Sequence, residues 1–300
     1  MTEQLVDPVV LSSIAHLELI ARQAVEGAVA GLHHSHFMGR NVEFSEHRPY
    51  HPGDELRHVD WRAYAKTDRF HVKLFEEDTN LRATLLTDLS GSMRFGESTL
   101  SKSAYAQQLT AALSYLIISQ GDSVGLVVYD SQIRAYVPPR LRTDHWGALL
   151  ETLVNAKTTN ELSATGQVLA NLGEYLKKRG MVILISDLIE DPARVLHGLA
   201  LLQKRHQEVL VFHILTPEEI ELPYSGSVEF HPLEGETGPL LTAPRRLQKI
   251  YRERVEQFLR QYRDGCLEHG IDYNPVTTRQ PLEAVLREYL QRRLKIHPHR

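Results

Sequence analysis

From residue 72 onward, short strand-like runs alternate with helix-length segments, and this alternation restricts the chain to a narrow set of folds. Val72–Phe75 and Ala83–Thr87 read as strands, and Val124–Tyr129 is an unbroken apolar run that suits a strand buried on both faces. Met181–Ile185 and Val209–Leu215 continue the series. Between them lie a helix at Ser101–Ser119, packed through Tyr105, Leu109, Leu113 and Leu116, and further helices at about Asp144–Asn155, Thr165–Lys178 and Pro192–Lys204. Strands alternating with helices of this length predict an α/β fold with a mainly parallel sheet and helices on both faces.

The flanks follow other rules. Leu11, Ile14, Leu17, Ile20, Ala24 and Ala28 recur with helical period from Val9 to about Leu32. The stretch Gly31 to Asp68 has little periodicity and is too long for a passive connector, so something must order it or use it. Between Pro223 and Pro244, Val228-Glu-Phe230 and Leu240-Leu-Thr242 flank a Gly-Glu-Thr-Gly turn and predict a small hairpin. A long helix at about Arg245–Cys266, a strand near Ile271–Val276 and a helix at Leu282–Leu294 close the chain. The expected organisation is an N-terminal helix with an ordered irregular extension over residues 1–70, then an α/β domain over 71–300 that carries a 223–243 hairpin.

Composition excludes some partners. With 34 Lys and Arg against 38 Asp and Glu, the net charge of -4 provides no general attraction for nucleic acid or anionic membrane. The single cysteine, Cys266, fits a reducing compartment, and no apolar run approaches the ~20 residues of a membrane span. A cytoplasmic location is expected.

The chemistry gathers where Ala83-Thr-Leu-Leu-Thr-Asp88 ends. Leu89-Ser90-Gly91-Ser92 then turns toward a helix, so Asp88, Ser90 and Ser92 bring one carboxylate and two hydroxyls around a common point. These are hard oxygen ligands suited to Mg2+ or Mn2+, and too few to fill an octahedron alone. Met181-Val-Ile-Leu-Ile-Ser186-Asp187 ends the same way, and ligands of open α/β sheets sit where the strand order reverses. If the two strands are neighbours there, Asp88 and Asp187 face one crevice. The loop before the helix at Thr165 offers the Ser163 and Thr165 hydroxyls. A purely structural alternative is that Ser and Asp serve as helix caps here.

Asp88-x-Ser90-x-Ser92, a later hydroxyl loop and Asp187 together resemble the metal-ion-dependent adhesion site of von Willebrand factor A domains. The likeness extends to Gly53-Asp54, Arg57, Asp60-Trp61, the Phe75-Glu-Glu run, Met93, Phe95-Gly96, Lys102, Gly121-Asp122-x-Val-Gly125, Arg179 to Asp187, Ile271-Asp-Tyr, Leu282 and Tyr289-Leu. In that order they are similar to the domain-of-unknown-function family fifty-eight, over roughly Arg40 to Arg293. The resemblance implies a von Willebrand factor A-like, Rossmann-like sheet and a divalent-cation site that takes a hydroxyl from the middle loop, from Ser163 or Thr165. It also implies a cytoplasmic bacterial protein often encoded beside a MoxR-type AAA+ ATPase, with which it would act as an adaptor or co-chaperone in the assembly of other proteins.

The expected function is therefore a non-enzymatic, cation-dependent protein-interaction module, whose partner offers an Asp or Glu to the ion. Two enzymatic or signalling alternatives are weaker. An Mg-dependent phosphatase or hydrolase would want a second acid two residues after Asp88, where Ser90 stands, and no Gly-x-Ser-x-Gly elbow or phosphate loop is present. A receiver-like switch phosphorylated on Asp88 would want paired acids after an earlier strand, and Glu76, Glu77 and Asp78 do not follow that pattern. Asp54, Arg57, Asp60 and Trp61 either form a binding surface or order their segment through ion pairs and aromatic packing. His33, His34 and His36 lack a partner set for metal, and the basic excess along the long C-terminal helix reads as a solvated face.

Overall fold

The computed structural model describes residues 8–30, 47–49, 71–73, 81–96, 100–142, 144–234 and 238–296. By its internal contacts the chain divides into a unit of residues 1–32 with 81–300 and a second unit of residues 33–80. The sequence had suggested a boundary near residue 70. The contacts instead group the N-terminal helix, α1 (Pro8–Ala30), with the sheet, because its Leu17, Ala21, Ala24, Val25 and Ala28 are buried in the same core. In the second unit, β1 (His47–Pro49) pairs antiparallel with β2 (His71–Lys73), Arg48 opposite Val72.

In the larger unit, β3 (Arg82–Asp88) leads through a short 3-10 turn (Gly91–Arg94) to α2 (Lys102–Ser119), β4 (Ser123–Tyr129) and β5 (Ile133–Arg140). Then come α3 (His145–Asn155), α4 (Thr165–Leu172), β6 (Gly180–Ser186), α5 (Pro192–Lys204), β7 (Gln207–Leu215) and α6 (Pro217–Glu221). The hairpin strands β8 (Val228–Phe230) and β9 (Leu240–Thr242) precede α7 (Pro244–Glu268), β10 (Asp272–Thr277) and α8 (Leu282–Ile296). The main sheet has the order β10-β7-β6-β3-β4-β5, parallel except for β5, which runs against β4.

Successive strand residues point to opposite faces, and the core divides accordingly. Leu85, Ile183, Ile185 and Phe212 meet α1, α2, α3 and α8, whereas Leu86, Val182, Leu184 and Val211 meet α4, α5 and α7. On the first face the Arg22 guanidinium of α1 lies 5.3 Å from the Tyr115 ring centroid and 5.4 Å from that of Trp146, tying three helices together. Some elements differ from the sequence reading, two of them in this sheet and its covering helices. The helix at Thr165 ends at Leu172, where Gly173 takes the C-cap. The edge strand β5 contains Pro138 and Pro139, tolerated because one side of an edge strand needs no ladder donor.

Candidate functional site

The strand order decides where chemistry can assemble. From β3 the chain moves outward to β4 and β5, then returns to lay β6 on the other side of β3 and continues outward through β7 and β10. The reversal opens between β3 and β6, which pair in parallel with Thr87 opposite Ile185. Asp88 and Ser186-Asp187 therefore leave the sheet side by side at its carboxyl end, the position such folds use for ligands.

Asp88 is fully buried and held by neutral donors. Its Oδ2 accepts the Ser186 hydroxyl at 2.7 Å and the Ser163 hydroxyl at 3.1 Å, and its Oδ1 accepts the Ser90 amide at 2.9 Å. Ser90 and Ser92 hydroxyls lie 3.2 Å apart. In the middle loop Ser163 faces Asp88, while Thr165 stands behind it, 2.9 Å from the Ser163 hydroxyl and 3.1 Å from that of Tyr129. Burial, reinforced by the charge of Asp187, pushes the Asp88 carboxyl up to about 7. The turn is pinned from the side as well: Gly91 N–H donates to the Glu161 carbonyl at 3.1 Å and Leu89 N–H to the Tyr129 carbonyl at 2.8 Å.

Asp187 has a different environment. The Lys102 ammonium, at the first turn of α2, donates to its Oδ2 at 2.7 Å and also to Glu219. Although burial opposes ionisation, Lys102 keeps the Asp187 carboxyl below its ordinary value. The Ile189 amide bonds Oδ1 at 3.2 Å. Below it, His213 of β7 bonds the Asp187 carbonyl through Nε2 at 2.7 Å. A carbonyl only accepts, so Nε2 carries the proton and Nδ1 accepts from the Tyr273 hydroxyl, 2.7 Å away. Desolvation pushes His213 down to about 4, so this strut is neutral at ordinary pH. Leu188 follows with φ +53°, a left-handed conformation costing a residue with a Cβ on the order of 1 kcal/mol. It turns the backbone so that the Leu188 amide donates to Ser186 Oγ at 3.0 Å.

The donor set fits a hard divalent cation in kind. Two carboxyl groups and the Ser90, Ser92 and Ser163 hydroxyls converge, and the bonded partners of Asp88 are all neutral. It is a hydroxyl-rich set: among the described residues no group of three or more His, Cys, Asp or Glu side chains suited to an ion occurs. Lys102 already satisfies one oxygen of Asp187, which leaves Asp88 as the carboxyl without a cationic partner among its bonded neighbours.

Spacing in the sequence pointed to Asp88, Ser90, Ser92, Ser163, Thr165 and Asp187, and the fold brings all six to one end of the sheet. Lys102 belongs to the family resemblance, which by itself gives it no role at the site. Its position at the start of the helix after the Asp-x-Ser-x-Ser turn was a signal that it points back at the turn. Glu219, His213 and Glu234 were not legible, since they reach the site from α6, β7 and the hairpin. Asp54, Arg57, Asp60 and Trp61 lie outside the described residues, as do His33, His34, His36, Glu76, Glu77 and Asp78.

Comparison with known proteins gives the chain its relatives. The family model described as protein of unknown function DUF58 matches residues 46–264. The chain belongs to this family. Another relative of this DUF58 chain, the uncharacterized protein Rv1480 of Mycobacterium tuberculosis, is 30% identical over 233 residues, 76% of this chain and 72% of the relative. Among solved structures, an aerotolerance-related membrane protein from Bacteroides fragilis superposes with a TM-score of 0.50 at 14% identity, covering 72% of this chain and 98% of that one. The SpRpn10 VWA domain is similar at a TM-score of 0.39 and 12% identity, covering 69% of this chain and 93% of that domain. The fold class expected from the sequence is the class this DUF58 chain has: a mainly parallel sheet with helices on both faces, and the Asp-x-Ser-x-Ser turn lies at its switch point. No helix among the described residues is long and apolar enough to cross a membrane.

Proposed function

We propose that the chain is a protein-interaction module whose Asp88 site works through a divalent cation, Mg2+ or Mn2+, rather than through catalysis. The observation that carries this reading is the state of Asp88: a fully buried carboxyl at a switch point, bonded by neutral donors and ringed by hydroxyls. A cation held by Asp88, Ser90, Ser92 and the Ser163 hydroxyl, with Asp187 acting through its charge, would offset the burial and the Asp187 charge that raise Asp88. Such an ion would supply a positive anchor for an Asp or Glu of a partner protein. The Thr165 hydroxyl supports Ser163 from behind.

A non-enzymatic role is favoured because the residue two places after Asp88 is Ser90, which cannot act as the general acid of an aspartyl-phosphate enzyme. Lys102 is engaged by Asp187 and Glu219, so it is poorly placed to serve as a free base. The proposal includes a cytoplasmic setting, consistent with a single buried cysteine, and an adaptor role beside a MoxR-type ATPase, which follows from the family resemblance alone.

Calorimetric titration of the metal-stripped full-length protein with Mn2+ and Mg2+ tests the reading. Saturable 1:1 binding is expected for the wild type and is expected to vanish in Asp88→Ala, with the far-ultraviolet circular dichroism unchanged. Folded wild-type protein that takes up neither ion would overturn the cation-dependent reading.

A further inference from the structure

A segment distant in the sequence lies across the Ser90–Arg94 turn and is fastened to it in two ways. The arm leaving β8 brings the Glu234 carboxylate to the Ser92 amide, which donates to Oε1 at 2.7 Å across 142 positions of sequence. Arg94 donates from its guanidinium to the Leu233 carbonyl at 2.6 Å, and its Nε bonds the Gly91 carbonyl at 3.4 Å. Gly91 permits this closeness, because a Cβ there would lie 2.5 Å from the Leu233 oxygen and 2.7 Å from Glu234 Cγ. The covered turn is buried, Ser92 being 7% exposed.

Ordinary capping does not explain the arrangement. Ser101 and Asp191 cap the starts of α2 and α5 from the adjoining residue, as local sequence usually does. Here the acid is delivered by a separate hairpin whose strands are three residues each. An isolated two-stranded hairpin has marginal stability of its own. Its second strand leaves Leu240 and Leu241 64% and 70% exposed, and its first packs Phe230 edge-on against Tyr224 rather than against the turn. Among the described residues, the hydrogen bonds that fasten the arm to the turn are ones a competing acid could replace.

We infer that the hairpin is an autoinhibitory strap, in which Glu234 occupies the turn as an internal acidic ligand that a partner's acidic segment must displace. This rests on the reading of that end of the sheet as an interaction surface, and it does not depend on the cation.

The test uses the full-length protein, wild type and Glu234→Gln, with a fluorescently labelled peptide of residues 229–238 as the probe. Titrations are run in EDTA and again in Mg2+. A tethered competitor acts at an effective concentration of about 1 mM, so for a peptide whose own Kd is on the order of 100 µM, removing it is expected to tighten binding roughly tenfold. Arg94→Ala in the Glu234→Gln background, or a peptide with Gln in place of Glu234, is expected to lose that gain. Hydrogen exchange over residues 89–95 is expected to quicken in Glu234→Gln while the rest of the sheet stays protected, separating strap release from unfolding. Equal peptide affinity in wild type and Glu234→Gln overturns the strap, whatever the exchange shows. If Mg2+ binds nowhere but the gain appears in EDTA, the cation reading fails and the strap stands.

Discussion

Lys102 is the residue on which the electrostatics of the site turn. Its whole side chain is buried between Asp187 and Glu219, with the Phe95 ring 6.0 Å from its ammonium. The two acids raise its affinity for the proton despite desolvation, so the ammonium acts as a fixed charge. Replacing it with a methionine of similar length would leave Asp187 buried without its counter-ion. Removing one member of a buried pair costs on the order of 3–5 kcal/mol. Lys102→Met is therefore expected to shift the urea midpoint strongly downward, and an unchanged midpoint would contradict the assigned role. At the neighbouring turn, Asp88, Ser90 and Ser92 were legible from spacing alone, because Asp-x-Ser-x-Ser is a local pattern. Glu219, the His213 strut and Glu234 were not, since each comes from an element whose approach depends on the whole sheet.

At the scale of elements, what positions the middle loop is the contact of α4 with α5. Gly166 and Gly198 let the two helices approach backbone to backbone: a Cβ on Gly198 would lie 2.9 Å from the Gly166 oxygen and 2.9 Å from Leu169 Cβ. Overpacking of this kind costs roughly 1–3 kcal/mol, more than the up to about 1 kcal/mol that alanine gains over glycine within a helix. Gly198→Ala is expected to destabilise the protein in equilibrium urea denaturation. Gly147→Ala in α3, where a Cβ meets nothing within 4 Å, is expected to stabilise it by up to about 1 kcal/mol in the same measurement. Helix α6 escaped the sequence reading because five residues are too few for a periodic signal. Yet its capping box, with Thr216 N–H donating to Glu219 Oε2 at 2.9 Å and Glu219 N–H to Thr216 Oγ1 at 3.2 Å, aims Glu219 at Lys102. Strand β5 was hidden by Pro138 and Pro139, which read as breakers until the strand is seen to be an edge.

For the larger unit as a whole, α1 is part of the core rather than an appendage. It packs on α2, α3 and α8, and Leu17, Val25 and three alanines are buried there. Deleting residues 8–30 is expected to cost on the order of 5 kcal/mol from the lost apolar burial. Chemical denaturation of the truncated chain beside the full-length protein measures it, and equal stability would show that the helix is dispensable.

The sequence by itself determined the class of the fold and the composition of the site turn. Both are written in short-range patterns: charge-free runs of strand length, helical period between them, and one acid with two hydroxyls on alternate positions. Tertiary structure decided the rest. It made β3 and β6 neighbours, so that two acids far apart in the chain became one electrostatic system. It placed the Ser163 hydroxyl against Asp88 with Thr165 behind it, set Lys102 against Asp187, and carried Glu234 onto the turn. Pairings of this kind depend on strand order and helix approach, which arise from burying two apolar faces at once, and no local stretch of sequence encodes them.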